Sequence, residues 1–126
     1  MHDLMNEIHV KRVISPVSVS DDTAQAGQII DHQGYGSATY LIATGSLADS
    51  NATFTVLLEE GDDSSLTDAA AVADAQLVGT EALASFVYSD DNKCFKLGYI
   101  GTKRYTRLTI TPSGNASAAV LCAVAV

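Results

Sequence analysis

Hydrophobic positions along this chain recur at intervals of two. Phe54, Val56 and Leu58 alternate with Thr53, Thr55, Leu57 and Glu59. Thr106, Leu108 and Ile110 alternate in the same way with Tyr105, Arg107, Thr109 and Thr111. Successive side chains of a strand point to opposite faces, so each run predicts a strand with one buried side. Near the amino terminus, Ile8 and Val10 start an alternation that Ser15-Pro16 interrupts and Val17 and Val19 resume. Proline lacks a backbone donor, so this segment is expected to be an edge strand, a bulged strand or two short strands.

The same reading carries through the rest of the chain. Residues 21–27 form a polar connection and Gln28 to Asp31 a short strand, followed by a glycine-containing turn at Gln33 to Gly36. Thr39 to Ala43 has three large apolar or aromatic side chains in a row and suits an interior strand covered on both faces. Residues 67–78 are alanine-rich with a weak hydrophobic stripe, which predicts a short helix or a compact loop crossing between sheets. A strand at Gln76 to Val78 and an extended run from Leu83 to Tyr88 follow. Lys93 to Thr111 reads as two extended segments joined around Gly98 to Lys103, a central hairpin closed by Pro112 and Gly114. In the last strand Val120, Cys122 and Val124 oppose Leu121, Ala123 and Ala125. Apolar on both faces, it should be central or covered by another chain.

These elements predict an all-β fold, a jelly-roll-like antiparallel β-sandwich of about eight strands with at most one short helix. Residues 8–126 form one domain behind a flexible arm at residues 1–7. No strand–helix repeat points to a parallel sheet.

Composition and charge narrow the function. The 126 residues are 47% apolar, with many alanines and valines, three phenylalanines and no tryptophan, so the core is thin. A net charge of -8 argues against nucleic-acid binding as the main activity. No apolar stretch approaches the length of a membrane span. The charges are also segregated. No Lys or Arg lies between Val13 and Asn92, and no Asp or Glu follows Asp91. An acidic block from Glu59 to Asp91 therefore precedes Lys93, Lys96, Lys103, Arg104 and Arg107. The two blocks either meet within one folded chain or form complementary patches on adjacent subunits.

Reactive chemistry is sparse. His2, His9 and His32 have no metal-binding spacing, and neither a nucleophile motif nor a phosphate loop is present. Cys94 and Cys122 each fall in an apolar strand pattern and are expected to be buried thiols. The acidic runs at residues 59–63 and 90–92 lack the calcium-loop alternation and read as strand-ending turns. Tyr35, Tyr40, Tyr88, Tyr99 and Tyr105 are expected to pack in strands or contacts more than to line a sugar platform. Lys103, Arg104 and Arg107 could contact phosphate, but alternation sets Arg104 and Arg107 on opposite faces. No enzyme activity, metal or cofactor is expected.

Three long stretches, Gln28 to Asp49, Ala52 to Ala82 and Asp90 to Asn115, resemble the small cement, or decoration, proteins of tailed bacteriophages, similar to that of the Bordetella phage group. The resemblance implies a jelly-roll subunit, often a homodimer, on the outer capsid surface of a virion made in the bacterial cytoplasm. Its partner would be the major capsid protein, with no nucleic acid, membrane or cofactor involved. It implies contact regions at residues 31–36, 61–80 and 98–107, with Tyr35, Lys103, Arg104, Tyr105 and Arg107 as candidate contact residues. A tail or head-completion component, or a carbohydrate-binding jelly roll on the particle, is the alternative.

Overall fold

The computed structural model describes residues 3–126, and Met1 and His2 of the expected arm lie outside them. Among the described residues, eleven strands form two antiparallel sheets. The first sheet contains β1 (Lys11–Val19), β11 (Ala119–Ala125), β4 (Ala38–Leu47), β9 (Cys94–Tyr99) and β7 (Leu77–Val78), in that order. The second runs β2 (Gln25–Ala26), β10 (Tyr105–Ser113), β5 (Thr53–Gly61) and β6 (Ala70–Ala71). There β3 (Ile30–Asp31) also pairs with β10, and β8 (Phe86–Val87) with β5. The all-β sandwich expected from the alternation is the fold. Two-residue strands, which leave no readable alternation, account for the count above eight.

Apart from β2 to β3 and β5 to β6, every connection passes from one sheet to the other. This overturns the expected hairpin at Lys93 to Thr111. β9 pairs with β4 from Ala43↔Cys94 to Ala38↔Tyr99, whereas β10 pairs with β5 over nine residues. Phe95, Leu97 and Tyr99 thus face Thr106, Leu108 and Ile110 across the interior. Residues 100–104 bridge the roughly 10 Å between packed sheets. Gly101 lets this link fold closely over the Tyr99 ring, because a Cβ there would come within 2.5 Å of the tyrosine hydroxyl.

Both prolines sit where a missing donor removes nothing. β1 is an edge strand whose pairing with β11 slips between Ile14 and Val17, so Ser15-Pro16 forms a bulge. Pro112 does not end β10, which continues to Ser113. The Leu108 carbonyl accepts from Gly27 on the β2 side, so Pro112, four residues on, turns its nitrogen to that side. Pairing with β2 stops at Ile110↔Gln25, leaving no ladder there to interrupt.

Residues 67–78 do cross between sheets. They run from β6 through a 3-10 turn at Asp74–Gln76 to β7. The one α-helix among the described residues, α1 (Glu81–Ala84), instead occupies the start of the run expected to be extended. Thr80 caps it by accepting the Leu83 N–H, and a capped turn outweighs a two-residue alternation.

The core lies between the inner faces. Phe86 stacks on Phe54 at 4.8 Å and on Phe95 at 5.5 Å. β11 contributes only alanines and Leu121 inwardly, as the composition foretold. Tyrosines fill the space that remains. The Tyr40 hydroxyl on β4 hydrogen-bonds Thr106 Oγ1 on β10, and the Tyr99 hydroxyl on β9 donates to Glu60 Oε2 on β5 at 2.7 Å. Both bonds run from one sheet to the other. At a different point Asn115 ties the β10–β11 loop to the end of β1, donating from Nδ2 to the Val19 and Asp21 carbonyls.

Replacing Thr106 by valine leaves Tyr40 and His32 without their partner. Thr106→Val is expected to cost about 1–3 kcal/mol in denaturant unfolding, and Thr106→Ser less than about 1 kcal/mol. Equal losses in the two variants would show that the hydroxyl is not what matters.

Candidate contact surface

The acidic and basic blocks meet within the chain. Arg104 donates to Asp31 in a fork, from Nε at 2.9 Å and from Nη2 at 2.8 Å. Lys103 Nζ lies 3.0 Å from Asp62, Arg107 Nη2 3.4 Å from Glu59, and Lys93 Nζ 3.3 Å from Asp90. Register sets all but the last pair. Tyr105 opposes both Asp31 and Gly61, which sets Arg104 beside Asp31 and Lys103 near Asp62; Arg107 directly opposes Glu59, and Lys93–Asp90 is a local pair within one turn. Arg104 holds the Asp31 carboxyl down at about 2.

The five candidate contact residues divide by position. Arg104 lies over the ring of half-buried Tyr105, 5.0 Å from its centroid. The Arg104 carbonyl accepts the His32 N–H, and the His32 carbonyl accepts the Tyr35 N–H. This places the turn bearing exposed Tyr35 beside the start of β10, where Lys103 also lies. Arg107 stands apart on the outer face of the second sheet, opposite Glu59. The pairing answers the charge segregation, and it leaves the cations at this end already engaged.

Tyr35 donates to or accepts from His9 Nδ1 at 2.6 Å. Between these residues and the carboxyl-terminal strand is a cleft of about 530 Å³, lined in part by Leu4, Ile8, His32, Leu41 and Val126. His32 Nε2 lies 2.6 Å from Thr106 Oγ1, which joins the ring to the Tyr40 bond across the core. Burial pushes the Tyr40 phenol up to about 12, so it stays protonated and able to hydrogen-bond. Tyr99 is pushed up as well, by burial and then by the Glu60 carboxylate. With Tyr40 and Tyr99 buried, any sugar platform would have to be built from the other tyrosines. Among the described residues, no group of three or more His, Cys, Asp or Glu side chains is gathered to hold a metal.

The outer faces of the two sheets differ in kind. On the second sheet Thr55 opposes Thr111, Thr53 opposes Ser113 and Thr109 opposes part-exposed Leu57, so hydroxyl side chains predominate. The first sheet presents Val120, Cys122 and Val124 from β11 beside Leu41 and Ala43 from β4. Leu41 and Val120 are each 39% exposed, so Thr39 to Ala43 is central but not covered on both faces. Cys94 is also exposed, contrary to the expected burial, because it shares this outer face. The last strand is flanked on both sides yet open on one face. Its place between β1 and β4 is the central one expected, and strand pairing brings Leu41, Arg12 and Lys96 alongside its open face.

No protein-family model matches the chain, and no curated protein matches it. Solved structures resemble it to different degrees. PBSX exported protein XepA superposes on 93% of the chain with a TM-score of 0.54 at 13% identity. The chain spans 36% of XepA, and the likeness is one of fold. SPBc2 prophage-derived protein YomS gives a TM-score of 0.44 at 10% identity, over 94% of this chain and 95% of its own. The xylan-binding module CBM15 gives 0.42 at 13% identity, over 92% of this chain and 67% of its own.

Burial lowers the His32 pKa from 6.5, against a smaller upward pull from Asp31. The unfolded chain then binds more protons than the folded one as acid is added. The contribution of His32 to stability is complete above about pH 6.5 and is lost as pH falls below it. Asp31, lowered by Arg104, loses its contribution only in the carboxylate range below. The denaturation midpoint should therefore drop in two stages on acidification, and His32→Gln should remove the upper stage alone. An unchanged upper stage in that variant would assign it to another group.

Proposed function

We propose that this chain is a structural component of a tailed-phage particle that binds the outside of the capsid shell and braces neighbouring capsomers. The outer face of the five-stranded sheet carries the reading. Val120, Leu41 and their neighbours expose an apolar surface across β11 and β4, whereas the opposite sheet mixes threonines and the Arg107–Glu59 pair with part-exposed Leu57 and Val87. An apolar face of this kind on a small soluble domain marks a protein contact. The long resemblance to cement proteins implied a jelly-roll sandwich, which agrees with the fold, and PBSX exported protein XepA has a similar fold.

The mechanism is mass action. A protein that binds only the joined capsomers stabilises the joined state, by about 2.7 kcal/mol per site when its free concentration is a hundred times Kd. Repeated around a shell, small increments resist expansion from packaged nucleic acid. The sandwich supplies stiffness and its faces and turns supply contacts. The proposal includes pairing into a homodimer and assigns the chain no catalytic step and no cofactor.

Particles lacking the protein should release their nucleic acid at lower temperature than complete particles, and purified protein should restore the difference. The protein should copurify with virions in hundreds of copies. A dozen copies or fewer would indicate a connector or tail part instead. Particles equally heat-resistant without it, together with no binding of the purified protein to shells, would defeat the proposal.

A further inference from the structure

One row of residues crosses four strands on the open face of the first sheet. Arg12 on β1 opposes Val124 on β11, Val124 opposes Leu41 on β4, and Leu41 opposes Lys96 on β9. Directly opposed residues in antiparallel strands project to the same side. Two exposed cations therefore flank an apolar strip, three strand spacings or about 14 Å apart. Val78, Ile100 and Leu83, all more than half exposed, extend the apolar surface past Lys96 along a groove of about 520 Å³.

The charge on this row is the informative part. Lys93, Lys103, Arg104 and Arg107 each make an ion pair. Lys11, Arg12 and Lys96 make none among the described residues, in a chain with fifteen acidic side chains, and two of these three stand on this row. Carboxylates are abundant, yet this face has cations without them.

We propose that this face docks on the capsid shell protein, through a surface of opposite character: an apolar strip bordered by carboxylates at matching separation. The inference rests on the cement reading and adds to it which side meets the shell and what chemistry receives it. A second copy of the chain is a poor occupant. A two-fold axis centred on this row and parallel to the strands sets Arg12 against Lys96. An axis perpendicular to the strands sets Arg12 against Arg12 and Lys96 against Lys96. Both bring like charges together, which works against pairing through this face. A homodimer would therefore not be centred on this row. A polyanion is also disfavoured, since two cations oppose a net charge of -8.

The test measures co-sedimentation of the full chain with uncovered shells assembled from the major capsid protein of the same phage, at low and high salt. Three forms are compared: wild type, Arg12→Gln/Lys96→Gln, and Thr53→Glu/Thr109→Glu. The last makes the same change in net charge on the opposite sheet. Thermal unfolding of each form checks that the fold is kept. Wild type and the threonine variant should bind alike and more weakly at high salt, and the Arg12/Lys96 variant should lose about tenfold or more in affinity. Leu41→Asp should lose binding as well. Equal binding by every form overturns the docking face and leaves the cement reading standing. No binding by wild type overturns both. Self-association of the free protein that disappears in the Arg12/Lys96 or Leu41 variant would give the face to a second copy and also overturn the proposal.

Discussion

Two tyrosine hydroxyls set the relation between the sheets. Tyr40 reaches from β4 to Thr106, and Tyr99 from β9 to Glu60, each spanning the interior. A core faced on one side by Ala119, Ala123 and Ala125 leaves room that small side chains do not fill. A tyrosine ring occupies that depth and brings its polar tip to the far sheet, where an unpaired hydroxyl would be costly. The same side chains therefore supply bulk and fix alignment. The link at residues 100–104 depends on this as well, because it folds over Tyr99, whose hydroxyl accepts the Lys103 N–H at 3.1 Å.

The sandwich leaves its two outer surfaces with different work. On the second sheet, threonines lie beside the Arg107–Glu59 pair across β5 and β10. On the first, apolar side chains from β4 and β11 lie open between cations on β1 and β9. The charge segregation so visible along the chain is spent mostly on internal pairing at the rim. What remains for partners is the smaller set that the pairing leaves over.

How much of this the chain disclosed follows from what alternation encodes. It assigned Thr106, Leu108 and Ile110 to one side and Tyr105, Arg107 and Thr109 to the other, and the structure agrees. Alternation says nothing of which strand lies beside which. Adjacent extended runs such as those at Lys93 to Thr111 look like a hairpin whether they share a sheet or face each other across a core. The open face was hidden for the same reason: Arg12 and Lys96 are far apart in sequence, and only the path through Val124 and Leu41 joins them. Cys94 misled because an apolar neighbourhood on the open side resembles one in the core. The bulge at Ser15-Pro16 was legible because proline's missing donor is a local property.

The route of the chain has a mechanical corollary. Since nearly every connection steps from one sheet to its opposite, a force prying the layers apart stretches many short tethers together, instead of opening one strand at a time. Resistance of that kind rises steeply with little displacement, and the molecule fails late and all at once. Among the long strands, β1, lying at a margin and broken by its bulge, offers a place where peeling could begin.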